Sequence, residues 1–348
     1  MKINLKYKIL VLGFIYIGLL FTGMAAFAQD PQFSQYYASP LYLNPGFTGT
    51  TDMQRVAANS RFQWTQLKSP FVTHSVSYDV AVPSLNSGFG VIALTDKAGS
   101  ANLRTTTIGA LYSSKIQLSK EWMVSPGLNF SYGSRGIDFD KLLFGDQIEF
   151  NGPTIDDAVA QLNNRNYFDF SSGVVIYNQT LWMGFSAHHI NQPNHSLLGE
   201  DAKLPMKMSV HGGINIPLKL HPLAAMKLSS ISPSFVYFRQ GEFQQLDLGV
   251  NMVYDPILVG LWYRGVPLQK NYNSKANQDA IIVMLGLNLK YLEVGYSYDL
   301  SISEIAGNSG GSHEISIVYR FEGLNPHKVK RKDKFLPCPN YPHFKNYN

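Results

Sequence analysis

The chain has 348 residues, of which 45% are hydrophobic and 13% aromatic but only 15% charged, with one cysteine and a formal net charge of +5. The single cysteine excludes an intramolecular disulfide and a cysteine-based zinc cluster. The positive charge belongs to the ends: three lysines lie in the first eight residues, and six basic against two acidic residues follow Phe321. Residues 29–321 therefore carry 20 basic and 22 acidic side chains, and no nucleic-acid partner is indicated.

At the start, Lys2, Lys6 and Lys8 precede an apolar stretch from Ile9 to Phe21 and a small-residue site Ala26-Phe27-Ala28, the pattern of a signal peptide cleaved between Ala28 and Gln29. The apolar stretch is too short and wrongly flanked for a transmembrane helix, and Gln29 stands where a lipoprotein needs cysteine. No other segment is a helical span. Entry into a membrane then requires a closed barrel, since lipid offers no partner to an open sheet edge. The expected divisions are a signal peptide (1–28), an aromatic and proline-rich periplasmic leader (29–50), a transmembrane barrel (51–321) and a basic, proline-rich periplasmic tail (322–348).

The leader sets Phe33, Tyr36, Tyr37, Tyr42 and Phe47 among Pro31, Pro40, Pro45, Gly46 and Gly49. Disordered leaders are poor in aromatics, so this one is expected to be ordered against a lumen or a partner. From Arg55 the chain reads as short alternating segments. Val72, His74, Val76, Tyr78 and Val80 alternate with Thr73, Ser75, Ser77 and Asp79, and Trp122, Val124, Pro126, Leu128, Phe130 and Tyr132 oppose Ser125, Gly127, Asn129 and Ser131. Fourteen strands are predicted, near 55–64, 71–81, 87–96, 104–118, 121–133, 167–177, 180–189, 205–216, 230–239, 244–254, 257–266, 279–291, 292–303 and 312–321. The last puts Ile315, Ile317, Tyr319 and Phe321 toward lipid and Glu314, Ser316 and Arg320 toward a lumen, where a lysine at Ser316 is expected to be better tolerated than one at Ile317. Fold class is thus all-β, an outer-membrane barrel of about 14 antiparallel strands, its even count bringing both ends to the periplasmic side. Asn178-Gln179 and Asp255-Pro256 read as periplasmic turns, and 134–166, 190–204 and 267–278 as extracellular loops.

Candidate chemistry is sparse. His188 and His189, adjacent in a predicted strand, are expected on opposite faces, and with His195 they make no metal site. Ser186 and His188 share a face, but no Gly-x-Ser-x-Gly elbow or base-orienting group accompanies them. No catalytic residue, cofactor or metal is assigned. The presumed lumen is mostly Ser, Thr, Gly and Asn, with scattered Lys115, Asp169, Lys207, Asp247 and Glu293. In the tail, Pro337, Pro339, Tyr341 and Phe344 read as a docking peptide.

The string Gln29-Asp-Pro-Gln-Phe-Ser-Gln-Tyr-Tyr-Ala-Ser-Pro-Leu-Tyr-Leu-Asn-Pro-Gly-Phe-Thr-Gly49 resembles the mature N-terminus of the PorP/SprF family, with Gly46 where alanine is commoner. Arg55-Val-Ala-Ala-Asn59, Gly145-Asp-Gln147, His188-His-Ile-Asn-Gln-Pro193, His313-Glu-Ile-Ser316 and Cys338-Pro339 agree in order. The resemblance implies an outer-membrane barrel of the type IX secretion and gliding-motility system. Its implied partners are a secreted cargo's C-terminal domain or an adhesin, periplasmic secretion components and outer-membrane lipid. Phe33, Tyr36, Tyr37, Tyr42, Asn44, Pro45, Phe47, Cys338 and Pro339 are the expected partner-binding residues. A general diffusion porin or small-solute channel is the alternative.

Overall fold

Alternation of the Val72–Val80 kind becomes a closed wall of fourteen antiparallel strands in the computed structural model. It describes residues 29–322 apart from 52, 100, 139–146, 148, 150–163, 198–200, 219–228, 271–275, 290 and 304–308. The strands are β1 (Gln54–Gln63), β2 (Phe71–Val82), β3 (Ser87–Ala98), β4 (Leu103–Ser114, resuming as Ile116–Gln117), β5 (Met123–Gly136), β6 (Arg165–Tyr177) and β7 (Leu181–His188). They continue as β8 (Lys207–Ile214, resuming as Ile216–Leu218), β9 (Ser229–Gln240), β10 (Phe243–Tyr254), β11 (Ile257–Lys270), β12 (Ala276–Asn288), β13 (Leu292–Ser301) and β14 (Ser312–Phe321). Each pairs with its neighbours in sequence, and β1 closes on β14 in a register running from Gln54 opposite Phe321 to Gln63 opposite Ser312. The predicted signal peptide, the tail with Cys338 and Pro339, and most of the 134–166 loop lie outside the described residues.

Burial is inverted relative to a water-soluble protein. Outward positions are apolar and exposed, as at Val76, Ile108, Leu128, Phe130, Phe168, Leu261, Leu285, Ile315 and Ile317, while inward positions bury Ser75, Ser77, Ser125, Ser131, Ser209, Asn251, Ser297, Glu314 and Ser316. Hydrocarbon imposes this order, because Lys or Arg on the lipid face at the bilayer midplane costs about 2–4 kcal/mol. Two strands depart from alternation. Both faces of β11 and β12 are apolar: Ile257, Val259, Leu261, Ile281, Val283 and Leu285 point outward, while Leu258, Trp262, Ile282 and Met284 are buried inward. A strand apolar on both faces is covered on both.

The inner cover is the segment expected as a periplasmic leader. Of the two placements expected, lumen or partner, it takes the lumen, with Phe33, Gln35, Tyr36, Tyr37, Ala38, Leu41, Asn44, Phe47, Thr48 and Thr51 all at 8% exposure or less. Its aromatics bury apolar area against Trp182, Leu258, Trp262 and Met284 in one cluster, burial that solvent at the rim could not offer.

Candidate functional site: a plugged lumen

Within this plug, α1 (Pro40–Leu43) is a single turn and Pro45–Phe47 a 3-10 turn. Asn44 separates them in an extended conformation, φ −158° and ψ 123°, as expected before proline, whose ring disfavours helical geometry in the preceding residue. The turn aims the Asn44 amide into the wall. Its Oδ1 accepts from Gly46 N at 2.8 Å, its Nδ2 donates to Val174 O at 3.2 Å and Phe185 O at 3.0 Å, and Nδ2 lies 3.1 Å from His211 Nε2. Wall glycines make this approach possible. A Cβ on Gly127 would collide with the backbone of Pro45 and Gly46, and one on Gly88 with that of Thr48.

The far end of the plug is ionic. Ser34 Oγ donates to Asp299 Oδ2 at 2.7 Å and accepts from Arg61 Nη1 at 2.7 Å and Arg264 Nη2 at 3.0 Å, while Ser34 N donates to Glu314 Oε2 at 2.6 Å. Arg61 also pairs with Asp299 (2.7 Å) and Glu314 (3.3 Å), and Arg264 with Asp247 (3.2 Å) and Asp299 (2.9 Å). Gln35 donates through Nε2 to Ser297 Oγ and Glu314 O, and its Oε1 accepts from Ser316 Oγ at 2.5 Å. Gln32 Nε2 donates to Asp247 Oδ2 at 3.2 Å. The near end is held by Gly49 N donating to Asp79 Oδ2 at 2.7 Å, by Ser113 and Lys115 donating to Thr48 O at 2.6 and 2.7 Å, and by Ser125 donating to Gly46 O at 2.6 Å. Between the two, Tyr36 meets Trp262 edge-on at 4.9 Å and Phe47 meets Trp182 at 5.7 Å. Partners come from strands all round the wall, so the segment crosses the lumen.

With the barrel and its plug defined, comparison with known proteins becomes informative. A family model described as type IX secretion system membrane protein PorP/SprF matches residues 25–319. The chain belongs to the PorP/SprF family. It is therefore an outer-membrane β-barrel, with the family and fold of a secretion-system membrane protein. Among solved structures it is similar to the P. putida toluene transporter TodX (9% identity over 80% of this chain and 93% of that one, TM-score 0.47). It is also similar to the Acinetobacter baumannii outer membrane protein Omp33 (8%, 77% and 98%, TM-score 0.43) and to the KdgM porin (6%, 77% and 99%, TM-score 0.37). No curated protein sequence matches.

In this family member the expected residues Phe33, Tyr36, Tyr37, Tyr42, Asn44, Pro45 and Phe47 lie together in the plug, and their contacts are with their own barrel. Tyr42 stacks edge-on with Phe33 at 5.4 Å and sits under Lys207 Nζ, 5.2 Å from its ring centre. The two histidines expected on opposite faces are not so arranged. β7 ends at His188, and His189 takes φ +56°, which breaks the strand alternation and turns its Nδ1 to within 3.0 Å of Asp169 Oδ2. Ser186 is occupied too, donating to Leu43 O at 2.8 Å and lying 2.7 Å from Ser209 Oγ, so its 3.3 Å contact with His188 makes no activated nucleophile. Of the scattered lumen charges, Lys115 and Asp247 hydrogen-bond to the plug, Lys207 lies over its Tyr42 ring, and Glu293 pairs with Arg320 at 2.9 Å.

Arg61, Arg264, Asp299 and His211 were not singled out from sequence, and Glu314 was placed toward the lumen without a partner. Their signal was faint: inward-facing charge in strands otherwise lined with Ser and Gly. The apolar runs Ile257–Trp262 and Ala280–Leu285 were the plainer sign that something apolar fills the lumen.

Proposed function

We propose that this barrel serves type IX secretion as a non-enzymatic component that binds a secreted cargo's C-terminal domain, an adhesin, or the periplasmic machinery, supporting export or surface retention. The observation that carries this reading is the occupied lumen. A diffusion porin keeps an aqueous path lined with charge, whereas here Arg61, Arg264, Asp247, Asp299 and Glu314 are buried in ion pairs with one another around Ser34. Recognition then falls to surfaces outside the lumen. An even strand count brings both ends of the sheet to one rim, which we assign to the periplasm. The tail with Cys338 and Pro339 leaves from there toward periplasmic proteins, and the links 64–70, 137–164, 189–206 and 302–311 stand at the cell surface. Phe33 to Phe47 act on partners through the plug they hold.

Two measurements on the full chain test this. In planar bilayers it should show no steady conductance, and affinity purification from detergent-solubilised outer membranes should recover a secreted adhesin or periplasmic secretion proteins, less so after deletion of residues 328–348. A steady open pore with no co-purifying protein would return the chain to the porins.

A further inference from the structure

On the outward face of β3 to β6, successive cross-strand rows change character abruptly. Val91, Ala110, Phe130 and Phe170 form one row and Ala93, Ile108, Tyr132 and Phe168 the next, both apolar and facing lipid. One step toward the rim that carries the 137–164 link the row becomes Thr95, Thr106, Ser134 and Asn166, and a further step brings Lys97, Arg104 and Gly136. This polar step borders a crevice of about 480 Å³ lined by Lys97, Arg104, Thr106, Ser134, Asn102 and Asp138 among others.

Lys97 and Arg104 are directly opposed across the β3–β4 pair. Like charges in that relation destabilise a sheet unless something of opposite sign lies between them. Among the described residues nothing does so. Lys97 makes no hydrogen bond or ion pair, and Arg104 donates only its Nε, to Thr95 Oγ1 at 3.3 Å. The carboxylate on the wall, Asp138, accepts from Asn102 Nδ2 at 3.2 Å. Thr106 and Ser134 add hydroxyls on the floor, and the Thr95 and Thr106 hydroxyls lie 3.2 Å apart.

We propose that this crevice binds the phosphorylated sugar headgroup of an outer-leaflet glycolipid, with its acyl chains against Ile108, Tyr132 and Phe168. Two adjacent cations set one hydroxyl-bearing row above an apolar band match an amphiphile whose anionic phosphate and sugar join its hydrocarbon. Arginine and lysine supply charge-assisted hydrogen bonds to phosphate, and the hydroxyl and amide side chains suit a sugar. A free phosphate would use the cations but not the band. The inference rests on the assignment of this rim to the cell surface.

The test uses the full-length protein in detergent and native mass spectrometry with lipid A as probe. Bisphosphorylated lipid A should bind, dephosphorylated lipid A should not, and inorganic phosphate should fail to displace it. Lys97→Ala and Arg104→Ala should each weaken binding roughly tenfold, the scale of one lost charge-assisted contact, while Lys120→Ala at the opposite rim should leave it unchanged. Heat-modifiable gel migration confirms that each variant is folded. Equal binding by wild type and the double variant, equal binding of dephosphorylated lipid A, or displacement by inorganic phosphate would each overturn the site. Sidedness is read separately. Asn102→Cys in a Cys338→Ala background should react with an impermeant maleimide on intact cells. Absence of labelling overturns the rim assignment itself, whereas labelling without a binding difference overturns the glycolipid site alone.

Discussion

Two parts of the plug, its Ser34 end and its aromatic middle, are held by opposite chemistry. Ser34 sits among two arginines and three carboxylates, whereas Phe47 sits against Trp182 and His211 rings at 5.7 and 5.8 Å, with backbone hydrogen bonds on either side. The ionic end is directional, and every member needs the others, since a buried charge without its partner is costly. The aromatic middle is non-directional and loses free energy roughly with area removed. An anchor that senses one missing group and an anchor that yields gradually should fail differently.

The sharpest break is Asp299→Ala, which leaves Arg61 and Arg264 without their shared carboxylate. It should cost about 5 kcal/mol, the upper end for breaking a buried pair, and in urea titrations followed by heat-modifiable gel migration the folded band should be lost early. An unchanged midpoint would mean the ionic end contributes nothing distinctive. Phe47→Ala should cost about 3–4 kcal/mol through the cavity it leaves, with the Ser34 end still engaged. That difference is readable as faster hydrogen exchange confined to residues 44–51.

A third pair of variants compares lumen with lipid. Ile317→Lys faces hydrocarbon at 46% exposure and should cost about 2–4 kcal/mol, seen as reduced outer-membrane levels. Ser316→Lys, expected from sequence to be better tolerated than Ile317→Lys, is given a further consequence by the structure. Ser316 is 1% exposed and donates to Gln35 Oε1, so a lysine there must displace the plug. We expect a folded barrel with a conductance that wild type lacks, and tolerance without conductance would contradict the packing. The smallest effect is Ser34→Ala. It removes a hydroxyl that accepts from two guanidinium groups but leaves the ion pairs standing, at about 1–3 kcal/mol.

Legibility in the sequence follows the same division. The lipid face was readable, because hydrocarbon enforces strict alternation: Ile315, Ile317 and Tyr319 are outward, and all fourteen strands lie within a few residues of their predicted places. That the leader is ordered was readable from its prolines and aromatics. Its place was not, since nothing local distinguishes packing in a lumen from packing on a partner. The ionic cluster unites residues up to 280 positions apart, a proximity created only by ring closure. His189 was misplaced because its positive φ ends the strand one residue before the alternation suggests.

Ser34 and Gln35 take their bonds from Arg61 in β1, Ser297 and Asp299 in β13, Glu314 and Ser316 in β14, and Arg264. Half of these stand at the seam where the first strand meets the last, toward the rim opposite the one where the segment joins β1, and Ser297 and Asp299 stand on the strand beside it. One stretch of the N-terminal segment therefore bonds to both strands of the closing seam, Arg61 on one side and Glu314 and Ser316 on the other, so the plug cross-links the two ends of the sheet as well as occupying its interior.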